Sequence, residues 1–133
     1  MADPKDIHID IMRSELGRAR GMGAAKSGVG HWWGQRVSAM ALAPLTLWFI
    51  YSVLSLGSAS HEAVLAWASN PLTLVLLLTL AGMTFYHMQL GLQTVIEDYV
   101  HDEGKRLLAL LLVKGAAVLL AVTAIVSILK IGL

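Results

Sequence analysis

Five residues fall on one flank of a single apolar stretch: Thr84, His87, Gly91, Thr94 and Asp98. At about 100° per helical residue, with His87 as reference, Gly91 lies about 40° away and Thr94 about 20° the other way. Asp98 lies about 20° from His87 and Thr84 about 60°. The other faces are mostly Leu, Met and Val. An imidazole in such a setting can ligate haem iron, relay protons or hydrogen-bond a neighbouring helix. Gly91, one turn beyond it, leaves room for a flat macrocycle or for a second helix to approach. Roughly 16 Å further along the axis stand Asp98 and Tyr99. A phenol there can donate to a quinone carbonyl, while a carboxylate orients donors or supplies protons. The plainer alternative is an interfacial Tyr beside a helix-terminal charge.

Two further residues carry charge near apolar sequence. Arg36 opens an apolar run within Trp32-Trp33-Gly34-Gln35-Arg36. It is either an anchor at the membrane surface or a partner for a buried anion such as a haem propionate, which a guanidinium fork suits. Ser38 follows and could donate one more hydrogen bond. Lys114 lies about 10 Å into another apolar run, within reach of the surface by snorkelling. His8, His31, His61 and His101 fall in expected arm or loop segments and are given no ligand role.

These residues must be positioned by elements that the composition restricts. The chain has 133 residues, is 56% hydrophobic and only 14% charged, and has a mean hydropathy of +0.67. A soluble domain carries about 25% charged residues. With no Cys, the chain by itself holds no disulfide, catalytic thiolate or iron–sulfur cluster. A net charge of +1 excludes a broad nucleic-acid face. Three stretches are long enough to cross a bilayer: 37–56 without a charge, 71–96 interrupted by His87, and 107–129 with Lys114. They are continuous rather than alternating, so strands are excluded and the expected class is an all-α membrane protein. Helices are predicted over about 33–57, 71–100 and 105–131, giving a transmembrane domain at 31–133 behind an arm at 1–30. The arm is Gly-rich and basic, with one short helix expected near 7–16. The segment 57–70 reads as a short polar loop, closed by Asn70-Pro71.

Lys and Arg counts set the orientation. Lys5, Arg13, Arg18, Arg20, Lys26 and Arg36 precede the first span, none lies in the first loop, and Lys105 and Arg106 lie in the second. Lys130 alone lies in the tail. The N-terminus is therefore expected in the cytoplasm and the C-terminus outside, with Trp32 and Trp33 in the inner aromatic belt.

The residues now assembled resemble the hydrophobic membrane-anchor D-type chains of succinate dehydrogenase, respiratory complex II. Two segments carry the likeness: 26–45, KSGVGHWWGQRVSAMALAPL, and 86–100, YHMQLGLQTVIEDYV. A second-helix His followed eleven and twelve residues later by Asp-Tyr matches that family's haem-plus-quinone pattern, here His87, Asp98 and Tyr99. The resemblance implies that His87 is one axial ligand of the iron of a haem b. The other ligand would come from a C-type cytochrome b anchor chain, with which a haem-binding four-helix bundle is formed. It implies that Tyr99, with Asp98, holds ubiquinone near the iron–sulfur subunit, and that Arg36 lies near the haem propionates. It also implies a flavoprotein partner, a lipid-embedded anchor in the bacterial inner membrane, and no nucleic acid. The chain would tether catalytic subunits and would not be catalytic alone.

Three other readings stay open. The same anchor could serve a fumarate reductase. His87, Asp98 and Lys114 could line a proton or ion path in a small oligomeric transport subunit. His87 could also merely bridge helices in a structural anchor.

Overall fold

A computed structural model describes residues 28–133, and these are helical apart from short connections. The expected arm and its short helix near 7–16 lie outside the described residues. The elements are α1 (Gly28–Ser55), α2 (His61–Ala68), α3 (Pro71–Tyr99) and α4 (Glu103–Gly132). The three long ones are long and apolar enough to cross a membrane. At about 1.5 Å per residue, helices of 28, 29 and 30 residues span more than 40 Å. That exceeds the hydrocarbon core of about 30 Å, so their ends reach the headgroup layers.

Local chemistry sets the helix starts. Asn70 caps α3 by accepting from the Leu72 and Thr73 amides, and Pro71 fills the first turn, where a missing N–H costs nothing. Asp102 caps α4 by accepting from the Lys105 amide at 2.8 Å, with Glu103 in the first turn and Lys130 in the last. Within α1, Pro44 removes the amide that would bond the Met40 carbonyl.

α3 is the central element. It packs against α1 on one side and more extensively against α4 on the other, while α1 and α4 do not pack together among the described residues. The seams are built from small side chains: Ser38, Ala68, Thr73 and Ala117 are buried, with Leu90 the one large apolar residue among them. Small contact residues let helix backbones approach where lipid supplies no hydrophobic drive. The large apolar side chains point outward, Leu54 at 76% and Leu47 at 69% exposed, which is stable only in a lipid surround.

The segment 57–70 differs from the expected polar loop because it contains α2. Ser60 caps that helix, Glu62 sits in its first turn, and Trp67 stacks on Trp48 of α1 with ring centroids 6.0 Å apart. A capped helix with one apolar flank pays for its short length through this docking. The first long helix also begins earlier than expected, at Gly28. His31 therefore lies within α1 and His61 opens α2, rather than both lying in arm or loop.

Candidate functional site at the seam between α1 and α3

The N-terminal part of α1 carries His31, Gly34, Gln35 and Ser38 at three- and four-residue spacing, a spacing that puts them on one flank. That flank faces α3. A Cβ on Gly34 would stand 2.6 Å from the Tyr86 hydroxyl and 3.2 Å from Leu90 Cδ1, so the glycine is what permits this approach. One turn further, Ser38 is 1% exposed and its Oγ lies 2.9 Å from His87 Nδ1. The same Oγ lies 2.7 Å from the Gly34 carbonyl and 3.1 Å from that of Gln35.

A hydroxyl has one proton. Both carbonyls can only accept, and the shorter contact marks where the Ser38 proton goes. With that proton on the Gly34 carbonyl, Ser38 Oγ can accept from His87, and we assign the imidazole proton to Nδ1 and the lone pair to Nε2 on that basis. That is the tautomer able to donate to a metal. Among the described residues, the Nδ1 bond is the only hydrogen bond at the His87 ring. No cluster of three or more His, Cys, Asp or Glu suited to a metal ion occurs among the described residues. A haem iron needs only one such His from this chain if a second chain supplies the other.

Gly91 sits beside this pair with space to spare. A Cβ there would make only an ordinary 3.5 Å contact with Gln35 Nε2. Helix packing therefore does not require the glycine, in contrast to Gly34. The Nε2 atom of His31 and the Oε1 atom of Gln35 are buried without a partner among the described residues.

The rest of the expected stripe separates from His87. Thr84 and Thr94 donate to the Leu80 and Leu90 carbonyls of their own helix, at 2.7 and 3.2 Å. A hydroxyl satisfied in this way can face lipid, so these two threonines mark no site. At the end of α3, Asp98 is exposed and Tyr99 is 78% exposed. Neither side chain makes a hydrogen bond to another described residue. Its neighbour Glu97 is engaged instead, accepting from Gln93 at 2.7 Å, while Gln93 accepts from Gln89 at 3.0 Å. Asp98 and Tyr99 thus present free polar groups at one end of the bundle.

Arg36 is exposed, with its guanidinium 4.4 Å above the Trp32 ring. Two residues of helix put it about 160° round α1 from Ser38, so it is not brought to His87. Stacking uses the face of the guanidinium and leaves its edge N–H groups available. Lys114 and Gln89 both line a cleft of about 450 Å³ between α3 and α4. A cleft of about 530 Å³ lies between α1 and α3 and is bounded by Gly34, Ser38 and Tyr86, with His87 outside its lining.

Ser38 was legible only as a spare donor near Arg36, and Gly34 and Gln35 carried no signal of their own. Their spacing with His31 is visible in the sequence, but which helix that flank meets is not.

Fold and site together define a three-span helical membrane protein with a histidine fixed between two helices and open polar groups at one end. Residues 10–127 match the family model described as the succinate dehydrogenase/fumarate reductase transmembrane subunit. A succinate dehydrogenase hydrophobic membrane anchor subunit of Rickettsia bellii is 34% identical over 116 residues, covering 87% of this chain and 93% of that one. The succinate dehydrogenase membrane anchor subunit of Reclinomonas americana is 32% identical over 97 residues, covering 70% of this chain and 80% of its own. A similar anchor subunit of Paracoccus denitrificans is 35% identical over 83 residues, 61% of this chain and 63% of its own. The chain belongs to the family of succinate dehydrogenase/fumarate reductase transmembrane subunits. The resemblance carried by 26–45 and 86–100 is borne out, and the location is a membrane.

Proposed function

We propose that this chain anchors a succinate:ubiquinone oxidoreductase, holding its flavoprotein and iron–sulfur subunits to the bilayer and forming part of the quinone site. The single observation that carries the reading is the His87–Ser38 pair, which leaves Nε2 as a donor on a helix that ends in free Asp98 and Tyr99. The residues fit a haem b: one imidazole in the ligating tautomer, and an adjacent glycine that packing does not demand. When bound, such a haem supplies a one-electron carrier close to the quinone. His87 would hold its iron together with a histidine of a C-type cytochrome b chain, which completes a four-helix bundle. The edge N–H groups of Arg36 would take a propionate at the inner end of α1.

At the other end of the described stripe, the Tyr99 hydroxyl donates to a quinone carbonyl and holds the ring for reduction. Quinone becomes quinol by taking up two electrons and two protons. Asp98, exposed beside Tyr99, passes protons from the aqueous side. The Lys and Arg count supports a cytoplasmic N-terminus and hence a quinone site on the cytoplasmic side. In a bacterium that membrane is the inner one. The relatives' names favour the oxidative direction over fumarate reduction. The arrangement of α1, α3 and α4 side by side, without a closed ring, disfavours a transport pore.

The test is made on the tagged chain purified in mild detergent from its own membranes. Succinate-driven reduction of a short-chain ubiquinone analogue is expected in the parent, together with a haem absorbance band that His87→Ala abolishes. Tyr99→Phe removes one neutral hydrogen bond and should lower turnover or raise KM several-fold, about what 0.5–1.5 kcal/mol implies. Full turnover in both Tyr99→Phe and Asp98→Asn would remove the quinone site from these residues.

A further inference from the structure

The proton count at Ser38 has a consequence for His87. We infer that Ser38 is a positioning residue for His87: its Oγ holds the imidazole in the Nδ1–H tautomer and raises the donor strength of Nε2 toward iron. The inference rests on the haem-ligand reading of His87. A serine that spends its proton on the Gly34 carbonyl is oriented with its lone pairs outward, and His87 Nδ1 stands at 2.9 Å from them. Ser38 is 1% exposed, so no lipid or water competes for that lone pair. Gly34 contributes twice, by accepting the hydroxyl proton and by letting α1 come close enough for the bond to form.

A ligating histidine ordinarily gives its second N–H to a carboxylate, a carbonyl or water, and this fixes the ring and strengthens the ligand. Here a hydroxyl polarised by a backbone carbonyl takes that place. Hydrogen bonds in such a chain reinforce one another, and the low dielectric of the seam increases their effect. A stronger nitrogen donor favours the more highly charged ferric state and so lowers the reduction potential. Loss of the Ser38 acceptor therefore raises it. A serine that only tied α1 to α3 would have no influence on the potential.

The experiment uses the intact complex in mild detergent, with redox titration of the haem band and low-temperature electron paramagnetic resonance. Ser38→Ala is expected to keep the haem, shift its midpoint potential upward and alter the ferric g values. Ser38→Thr, which restores the hydroxyl on the same carbon, should return both toward the parent. If Ser38→Ala does not assemble, Ser38→Cys replaces it, since the thiol has similar size but is a poor acceptor, and the same upward shift is expected. A parental potential and spectrum in the alanine or cysteine variant would overturn the role, as would an equal shift in Ser38→Thr. Failure of the underlying reading is distinguishable: the parent would then lack haem, or His87→Ala would retain the band.

Discussion

The two seams of α3 differ in what they are made of. Toward α4 the contact is the more extensive, and its buried α4 residues are Ala117 and Gly132, with Gly82 and Ala121 lining the adjacent cleft. Toward α1 the contact is smaller but holds the buried Ser38, the Ser38–His87 bond and the unpartnered atoms of His31 and Gln35. One seam buries small apolar residues and keeps its polar groups, Gln89 and Lys114, on the lining of its cleft. The other gives up packing to hold polar groups, and polar groups in a lipid-embedded seam are expensive unless they serve a ligand or a partner helix. The proposed chemistry falls on the less extensively packed side of α3.

Bulk in the two seams gives the largest contrast. Gly34→Leu should displace Tyr86 and Leu90, separate Ser38 from His87, and destabilise by about 1–3 kcal/mol or more. It should also lose the haem band. Ala117→Leu overpacks the other seam by a similar amount but should leave the haem spectrum of the surviving complex unchanged. Thermal dissociation of the solubilised complex, read beside its spectrum, checks both. Equal loss of haem in the two variants would erase the distinction between the seams.

A smaller effect is expected at Gly91. Its Cβ position is free of steric conflict, so Gly91→Ala should leave complex stability unchanged or raise it by up to about 1 kcal/mol through helix propensity. Haem retention should nevertheless fall if the macrocycle lies over that glycine. Parental haem content in a stable Gly91→Ala complex would put the ring elsewhere. The smallest effect belongs to Lys114→Gln. Lys114 is exposed at the α3–α4 cleft and pairs with no acid among the described residues, so stability should change by less than about 0.5 kcal/mol.

Three spans were legible because apolar runs of twenty or more residues with at most one charge have no other stable form in lipid. His87 stood out for a related reason, titratable groups being rare in such runs, while Asp98 and Tyr99 stood out by their place just beyond the second run. The stripe was less informative than its regular spacing suggested, since Thr84 and Thr94 satisfy themselves on their own helix. α2 was missed because eight residues with a mixed composition carry too little periodic signal, and its stability comes from Trp67 meeting Trp48. That contact joins residues far apart in the chain.

Composition and local order alone determined that this protein is helical, crosses a membrane three times and carries an ionisable residue within its second span. Those properties follow from backbone satisfaction and the cost of charge in hydrocarbon, both of which act on one segment at a time. Only the tertiary structure decided that α3 lies between α1 and α4, and that Ser38 turns toward His87 rather than toward Arg36. Which flank of a helix meets which neighbour depends on the close fit of small residues such as Gly34 against Tyr86 and Leu90. That fit is a property of two segments together.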